Sequence, residues 1–378
     1  QIAALTETQT AGLSTTQVGG LTVTQIGALE TADLQSLTTT QIATLSVTQV
    51  KGLSATQIGD LSATQASALT TTQIAALTTT QIQELDAADF ALFSITQLGA
   101  LTATQIGALE TTDLQALTTT VLDGFTSTQI KGLSATQVGD FTLAQMQSLA
   151  DTQIAAFSTT QIKGVEVGDL AALTTTQLSQ LSAAQVSALT TSQVQALTLT
   201  QVKAFTSTQI AALTTTQIGA LDATDLQGLA DTQIAALTTA QVKGLTATQI
   251  TSFSTTQTGG LTTTQIAVLS TTQIAGFETT DIAQLTAAQL GAFTATMIGA
   301  LSTTNVQAVT TTNIGLLSTT QIKGLTSAQV GTLLTDQAQE LSATQVGAMS
   351  NTQLQGLETT DIDVMAATQF AQLTAAQV

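Results

Sequence analysis

The sequence contains no Cys, His, Pro, Trp, Tyr or Arg. Without Cys and His there is no disulfide framework, no thiolate nucleophile, no imidazole base and no zinc or haem site of the usual kind, and a serine triad lacks its histidine. Lack of Cys suits an extracellular bacterial product as well as a cytosolic one, so it leaves the redox compartment open. Positive charge is scarce too: six Lys stand against 24 acidic residues, a net charge of −18. That balance argues against nucleic acid and against anionic membrane surfaces, because phosphate backbones and acidic lipids are held by Lys and Arg. No run of 18 apolar residues occurs, since Thr, Ser and Gln interrupt the apolar positions every few residues, so no segment reads as membrane-inserting.

What fills the remaining 378 residues is one phrase of eight, seen in its plainest form as LTTTQIAALTTTQI from Leu69 to Ile82. Its positions are labelled a to h: Leu at a, Thr or Ser at b, a variable c, a small residue or Thr at d, Gln at e, Ile or Val at f, a variable g, and Ala or Gly at h. From Leu5 to Leu373 the phrase keeps its phase without insertion or deletion. Residues 1–378 therefore read as a single continuous octapeptide array rather than as the two or three globular domains their number suggests. The array starts at e with Gln1 and stops at f with Val378, and neither end differs from the middle as a solenoid cap would, which suggests a window on a longer chain.

Position a accepts Phe (Phe125, Phe141, Phe157, Phe253), Val (Val165, Val309) or Met (Met349, Met365) and no polar residue, as a core position must. Position f admits Thr10, Ala66, Thr258 and Ala338 besides Ile, Val and Leu, and reads as a second, looser core position. The gaps between a and f alternate between five and three positions, matching neither the alternation of a half-buried strand nor the stripe of a long amphipathic helix. A repeated helix start does match. Ser or Thr at b with Gln three positions on at e is a capping box, in which the b hydroxyl accepts the e N–H and the e side chain accepts the b N–H. Thr at c and d is a mediocre helix former and Gly at h, as in Gly164 and Gly244, favours an ending, so each octad is expected to make one short helix from b to about h. Such helices, turning at every a with a and f inward, give an all-α fold, a tight α-solenoid. The rival is a β-solenoid, because Thr, Val and Ile favour strands and Gln ladders suit stacked coils. The run Gln9 to Thr16 resembles the octapeptide phrases of bacterial ice-nucleation proteins, although the recurrent Tyr of that family is absent.

At seven places b and e become acidic together: Glu30 with Asp33, Asp86 with Asp89, Glu110 with Asp113, Glu166 with Asp169, Asp222 with Asp225, Glu278 with Asp281, and Glu358 with Asp361. Successive pairs lie seven, three, seven, seven, seven and ten octads apart. All are near multiples of roughly 3.4 octads, or about 27 residues, so a superhelix of that turn puts every pair on one ridge. A β-coil of two octads instead puts Glu30 and Asp86 on opposite faces. All six Lys, from Lys51 to Lys323, occupy position g, and most fall near the same ridge.

Paired carboxylates invite comparison with glycosidases, but a pair repeated seven times at cap positions, without an aromatic platform for sugar, reads as non-enzymatic. Calcium is the metal these fourteen carboxylates could attract, although it wants six to eight oxygens and one pair supplies few. No other cofactor is implied. The plainer reading is a solvated ridge that keeps an apolar-rich fibre soluble. Exposed Thr and Ser can carry O-linked glycans or form a lattice that orders water as ice does. No N-glycosylation sequon is present, as Asn305, Asn313 and Asn351 are followed by the wrong residues.

The phrase L-[ST]-x-x-Q-[IV]-x-[AG], as in LTATQIGAL from Leu101 to Leu109, resembles the octapeptide-repeat regions of very large secreted or surface proteins of bacteria, RTX-like adhesins among them. That resemblance implies an extracellular, cell-surface setting. The expectation is a structural segment of a filament, sheath or adhesin stalk that self-associates into filaments or bundles, about fourteen turns making a rod of roughly 130 Å at usual helix spacing. The alternative is a repeat-based module that binds Ca²⁺ along the acidic ridge or ice through its Thr face.

Overall fold

A computed structural model describes residues 4–378; Gln1, the first e-position glutamine, lies outside the described residues. These residues form 45 short α-helices, each of four to six residues, followed by a 3-10 helix at Ala367–Gln372, with no β-strand among them. The all-α reading holds and the β-solenoid does not. The contacts gather into two compact units, residues 1–196 and 197–378. The same helical solenoid is built in each.

The helix Thr71–Ala76 shows why the phrase folds as it does. Its cap Thr70 is extended (φ −71°, ψ 159°), which aims the hydroxyl at the backbone N–H of Gln73, and the Gln73 Oε1 accepts the Thr70 N–H at 2.6 Å. Both halves of the capping box are present, so two of the donors a helix start leaves open are satisfied locally. The helix ends when ψ swings to extended at a, as at Leu77 (ψ 142°), and the next b is extended again. Two consecutive extended residues make the corner, as again at Leu213 and Thr214.

Gly at h ends some of these helices, but not by a left-handed cap: Gly12, Gly20, Gly124 and Gly260 are the C-cap residues of their helices with right-handed backbone. Among the described residues no glycine has positive φ. Val165 stops the helix Thr159–Gly164 by its own extended backbone (ψ 130°), and Gly164 is still helical. At some positions glycine permits close approach: a Cβ on Gly27 would come 2.9 Å from the carbonyl oxygen of Gly52 in the next turn, and one on Gly139 would come 2.5 Å from that of Gly164.

Within each unit most helices pack on the helix three repeats along, as Ala135–Gly139 does on Thr159–Gly164. From Leu29 to Met349 positions a and f form the core, whereas nearer the C-terminus Ile362 at f is exposed. Side chains at f are the deeper: Ile74 and Ile82 are 0% exposed, Leu69 and Leu77 2% and 5%. Thr10, Ala66, Thr258 and Ala338 are buried as completely, between 0% and 1%, so position f is not looser than a. Their departure from Ile, Val and Leu has another cause, described below.

Candidate functional site

The feature that recurs in nearly every repeat is the glutamine at e. Besides closing the capping box through Oε1, Gln73 donates its Nε2 to the backbone carbonyls of Leu45 at 2.7 Å and Ile42 at 3.0 Å, 28 and 31 residues earlier. Gln265 does the same to Leu237 and Ile234, and Gln345 to Leu317 and Ile314. A separation of 28 residues is three and a half octads, so one turn of the solenoid is close to the period that the charge spacing implies. Other contacts between turns span 25 residues, as from Gln115 Nε2 to the Asp140 carbonyl, and 29, as from the Thr31 hydroxyl to Asp60.

The geometry explains why the residue is Gln rather than the Glu that a capping box also accepts. Oε1 must accept within its own repeat while the other terminal atom donates to the turn before it, and an amide offers both at any pH whereas an ionised carboxylate only accepts. The carbonyl of residue a sits at an extended corner where no backbone N–H of its own repeat reaches it. Supplied by Gln, it is a satisfied buried acceptor; unsupplied, it would cost on the order of 1–3 kcal/mol. Sequence reasoning stopped at the capping box and missed this second role. The near-exclusive choice of Gln at e was the available signal.

The seven acidic pairs interrupt this pattern. Each pair divides into an exposed member and a buried one. Glu30, Asp86, Glu110, Glu166, Asp222, Glu278 and Glu358 face solvent, whereas Asp33, Asp89, Asp113, Asp169, Asp225, Asp281 and Asp361 are between 2% and 9% exposed. The solvated ridge therefore carries half of the expected carboxylates. Asp86 and Asp222 cap their helices as Thr does, and the buried Asp takes the Gln Oε1 part: Asp89 accepts the Asp86 N–H at 3.0 Å and Asp281 the Glu278 N–H at 2.9 Å. An ionised Asp has no donor, however, and the a-position carbonyl one turn back loses its partner.

Burial pushes six of these carboxyls above their ordinary value of 3.8. Asp113 reaches about 6, through desolvation first and then the charges of Glu110, Asp86 and Asp89, against a lowering hydrogen bond from the Glu110 backbone. Asp89, Asp169, Asp225, Asp281 and Asp361 move the same way, desolvation again leading. The three-octad interval thus brings two pairs into electrostatic contact across one turn. At Asp169 one carboxylate oxygen is buried with no hydrogen-bond partner.

One turn before each buried Asp, at a separation of 23 in the chain, stands a residue at position f. The Thr10 hydroxyl meets Asp33 Oδ1 at 3.4 Å. Thr258 occupies the same register before Asp281; its buried hydroxyl makes no formed hydrogen bond, yet its nearness opposes the rise of the Asp281 carboxyl. In that register the seven aspartates face Thr10, Ala66, Phe90, Met146, Val202, Thr258 and Ala338. Six of these seven are the f residues other than Ile, Val or Leu, the remaining such residue being Phe370. The exceptions at f are therefore adjustments to the aspartates. Asp is one methylene shorter than Gln, and its neighbour either offers a hydroxyl, gives way as Ala, or fills in as Phe or Met.

Among the described residues no three Asp or Glu converge where they could hold a metal ion. No described helix is long and apolar enough to cross a membrane. Three stretches, residues 26–63, 106–143 and 162–199, match the family model of the ALTTAQ repeat. The string itself runs here from h to e, as Ala236–Gln241. The chain is a tandem-repeat protein. A search of the curated proteins found no match.

Proposed function

We propose that the chain is a non-enzymatic structural element, a spacer or stalk segment of an extracellular bacterial filament or adhesin that acts through its length and its contacts with further copies. The observation that carries this reading is the internal use of the polar chemistry. The hydroxyl at b, both ends of the Gln at e, and the inward carboxylates all serve the repeat itself, and the same arrangement recurs in both units. A scaffold that adds one clasp per octad extends without new rules, as quasi-one-dimensional repeat proteins do. The resemblance of the phrase to repeat regions of large surface proteins supports the cell-surface setting.

Small-angle scattering of the isolated chain tests the reading. A stalk gives the profile of a narrow rod of roughly 130 Å, from about fourteen turns at usual helix spacing. A near-spherical particle of this mass would overturn it. Surface labelling and fractionation of the native source separately test the location.

A further inference from the structure

We propose that the seven e-position aspartates are proton-operated clasps. Protonated, each donates its carboxyl O–H to the a-position backbone carbonyl one turn back, the carbonyl that a Gln amide holds elsewhere; ionised, it leaves that carbonyl unpaired, so the solenoid tightens as pH falls.

Asparagine shows that the reach suffices. Asn305 and Asn313 stand at e with side chains of the same length as Asp, and their Nδ2 atoms donate to the carbonyls of Phe277 and Leu285, 28 residues earlier, at 2.8 and 2.9 Å. A protonated carboxyl has the same frame as this amide, with O–H in place of N–H. For Asp113 the corresponding acceptor is the carbonyl of Leu85, and for Asp281 that of Phe253. In the ionised state five of the seven, Asp89, Asp113, Asp225, Asp281 and Asp361, turn instead to the b N–H of their own repeat, as Asp113 does to Glu110 at 3.1 Å. Uptake of one proton from solvent moves the group from an acceptor within its repeat to a donor between turns.

The groups around these carboxyls favour the neutral form. Asp113 faces Glu110 on its own helix and Asp86 and Asp89 on the turn before, and no lysine is among them. On the turn after stands Asp140, whose carboxylate is held by the Thr111 hydroxyl at 3.0 Å. Asp281 faces only Glu278, because the helices packed on its own, Thr255–Gly259 and Thr303–Ala308, contain no charged residue. The sign follows from burial. A carboxyl raised in the folded state adds stability fully present below its unfolded value, near 3.8, and lost as pH rises through its folded value, about 6 at Asp113. The f residue separates these two: the buried Thr258 hydroxyl, otherwise without a partner, stands where it lowers the value at Asp281, while Phe90 offers Asp113 no hydroxyl.

The experiment is thermal unfolding of the full chain between pH 4.5 and 8, with the aspartate carboxyl carbons followed by NMR. The wild-type melting temperature is expected to climb as pH falls, the folding constant gaining on the order of tenfold to a hundredfold per strongly raised carboxyl. Asp89→Asn with Asp113→Asn should be more stable than wild type at pH 7.5 and less sensitive to pH. Asp231→Asn with Asp336→Asn removes the same charge from exposed positions and should keep the wild-type slope. Thr258→Val should move the Asp281 titration upward. Four results would overturn the proposal: titration of Asp113 and Asp281 near the ordinary 3.8, equal flattening by the exposed pair, an unmoved Asp281 in Thr258→Val, or a melting point that follows the identity of the added cation rather than pH, which would put a bridging ion where the proton is proposed.

Discussion

At the scale of the residue, the protein rests on one side chain used twice. Gln73 accepts from Thr70 within its own repeat and donates to Leu45 and Ile42 of the previous turn while being only 2% exposed. Replacing it with Leu leaves the Thr70 N–H and the Leu45 carbonyl without their partners, at a cost of about 2–3 kcal/mol by denaturant unfolding. Gln73→Glu keeps the capping half and should be as destabilising near neutral pH, but it should recover in acid, where the carboxyl regains a donor. A melt of Gln73→Glu that is flat with pH would contradict the donor role. The first half of this side chain's work was legible in the sequence, because a capping box is a local spacing of Ser or Thr, two intervening positions and Gln. The second half was not, since its acceptors lie a full superhelical turn back along the chain and a backbone carbonyl has no signature in sequence. The buried aspartates were likewise found by position and mistaken in exposure: a cap residue is usually at a surface, but here the e side chain points between turns.

At the scale of the element, a helix of four to six residues is too short to persist alone, because nucleation costs more than one turn of hydrogen bonds returns. The box holds its start, the extended a and b residues stop it, and the neighbours three repeats away hold its sides. The glycines show where that contact is tightest. Gly139→Ala would push a methyl against the Gly164 carbonyl and should cost about 1–3 kcal/mol. Gly99 has open space around its Cβ direction, and Gly99→Ala should stabilise by about 0.5–1 kcal/mol, since alanine loses less entropy in forming a helix. Opposite shifts in the urea midpoint check the pair. The sequence showed that helices must be short and where they begin. How they end was legible only in part, because Gly at h serves both as a cap, as Gly12 does, and inside the last turn for close packing, as Gly164 does.

At the scale of the molecule, the period of the superhelix was legible before any contact was known. Glu110 and Glu166 stand seven octads apart, which is two turns, and half that interval is the separation that the Gln clasps span. Six of the seven buried aspartates also have an altered f residue one turn back, so the same pitch is written a second time in the rare residues at f. The absence of Cys makes that pitch directly measurable. The Thr31 hydroxyl and the Asp60 carboxylate lie 2.9 Å apart across one turn, whereas Thr31 and Val47 are separated by two octads, the length of the rival β-coil. Thr31→Cys with Asp60→Cys should form a disulfide readily on mild oxidation, and Thr31→Cys with Val47→Cys should not, by mass spectrometry of the non-reduced chain. Cross-linking of the second pair and not the first would contradict the solenoid.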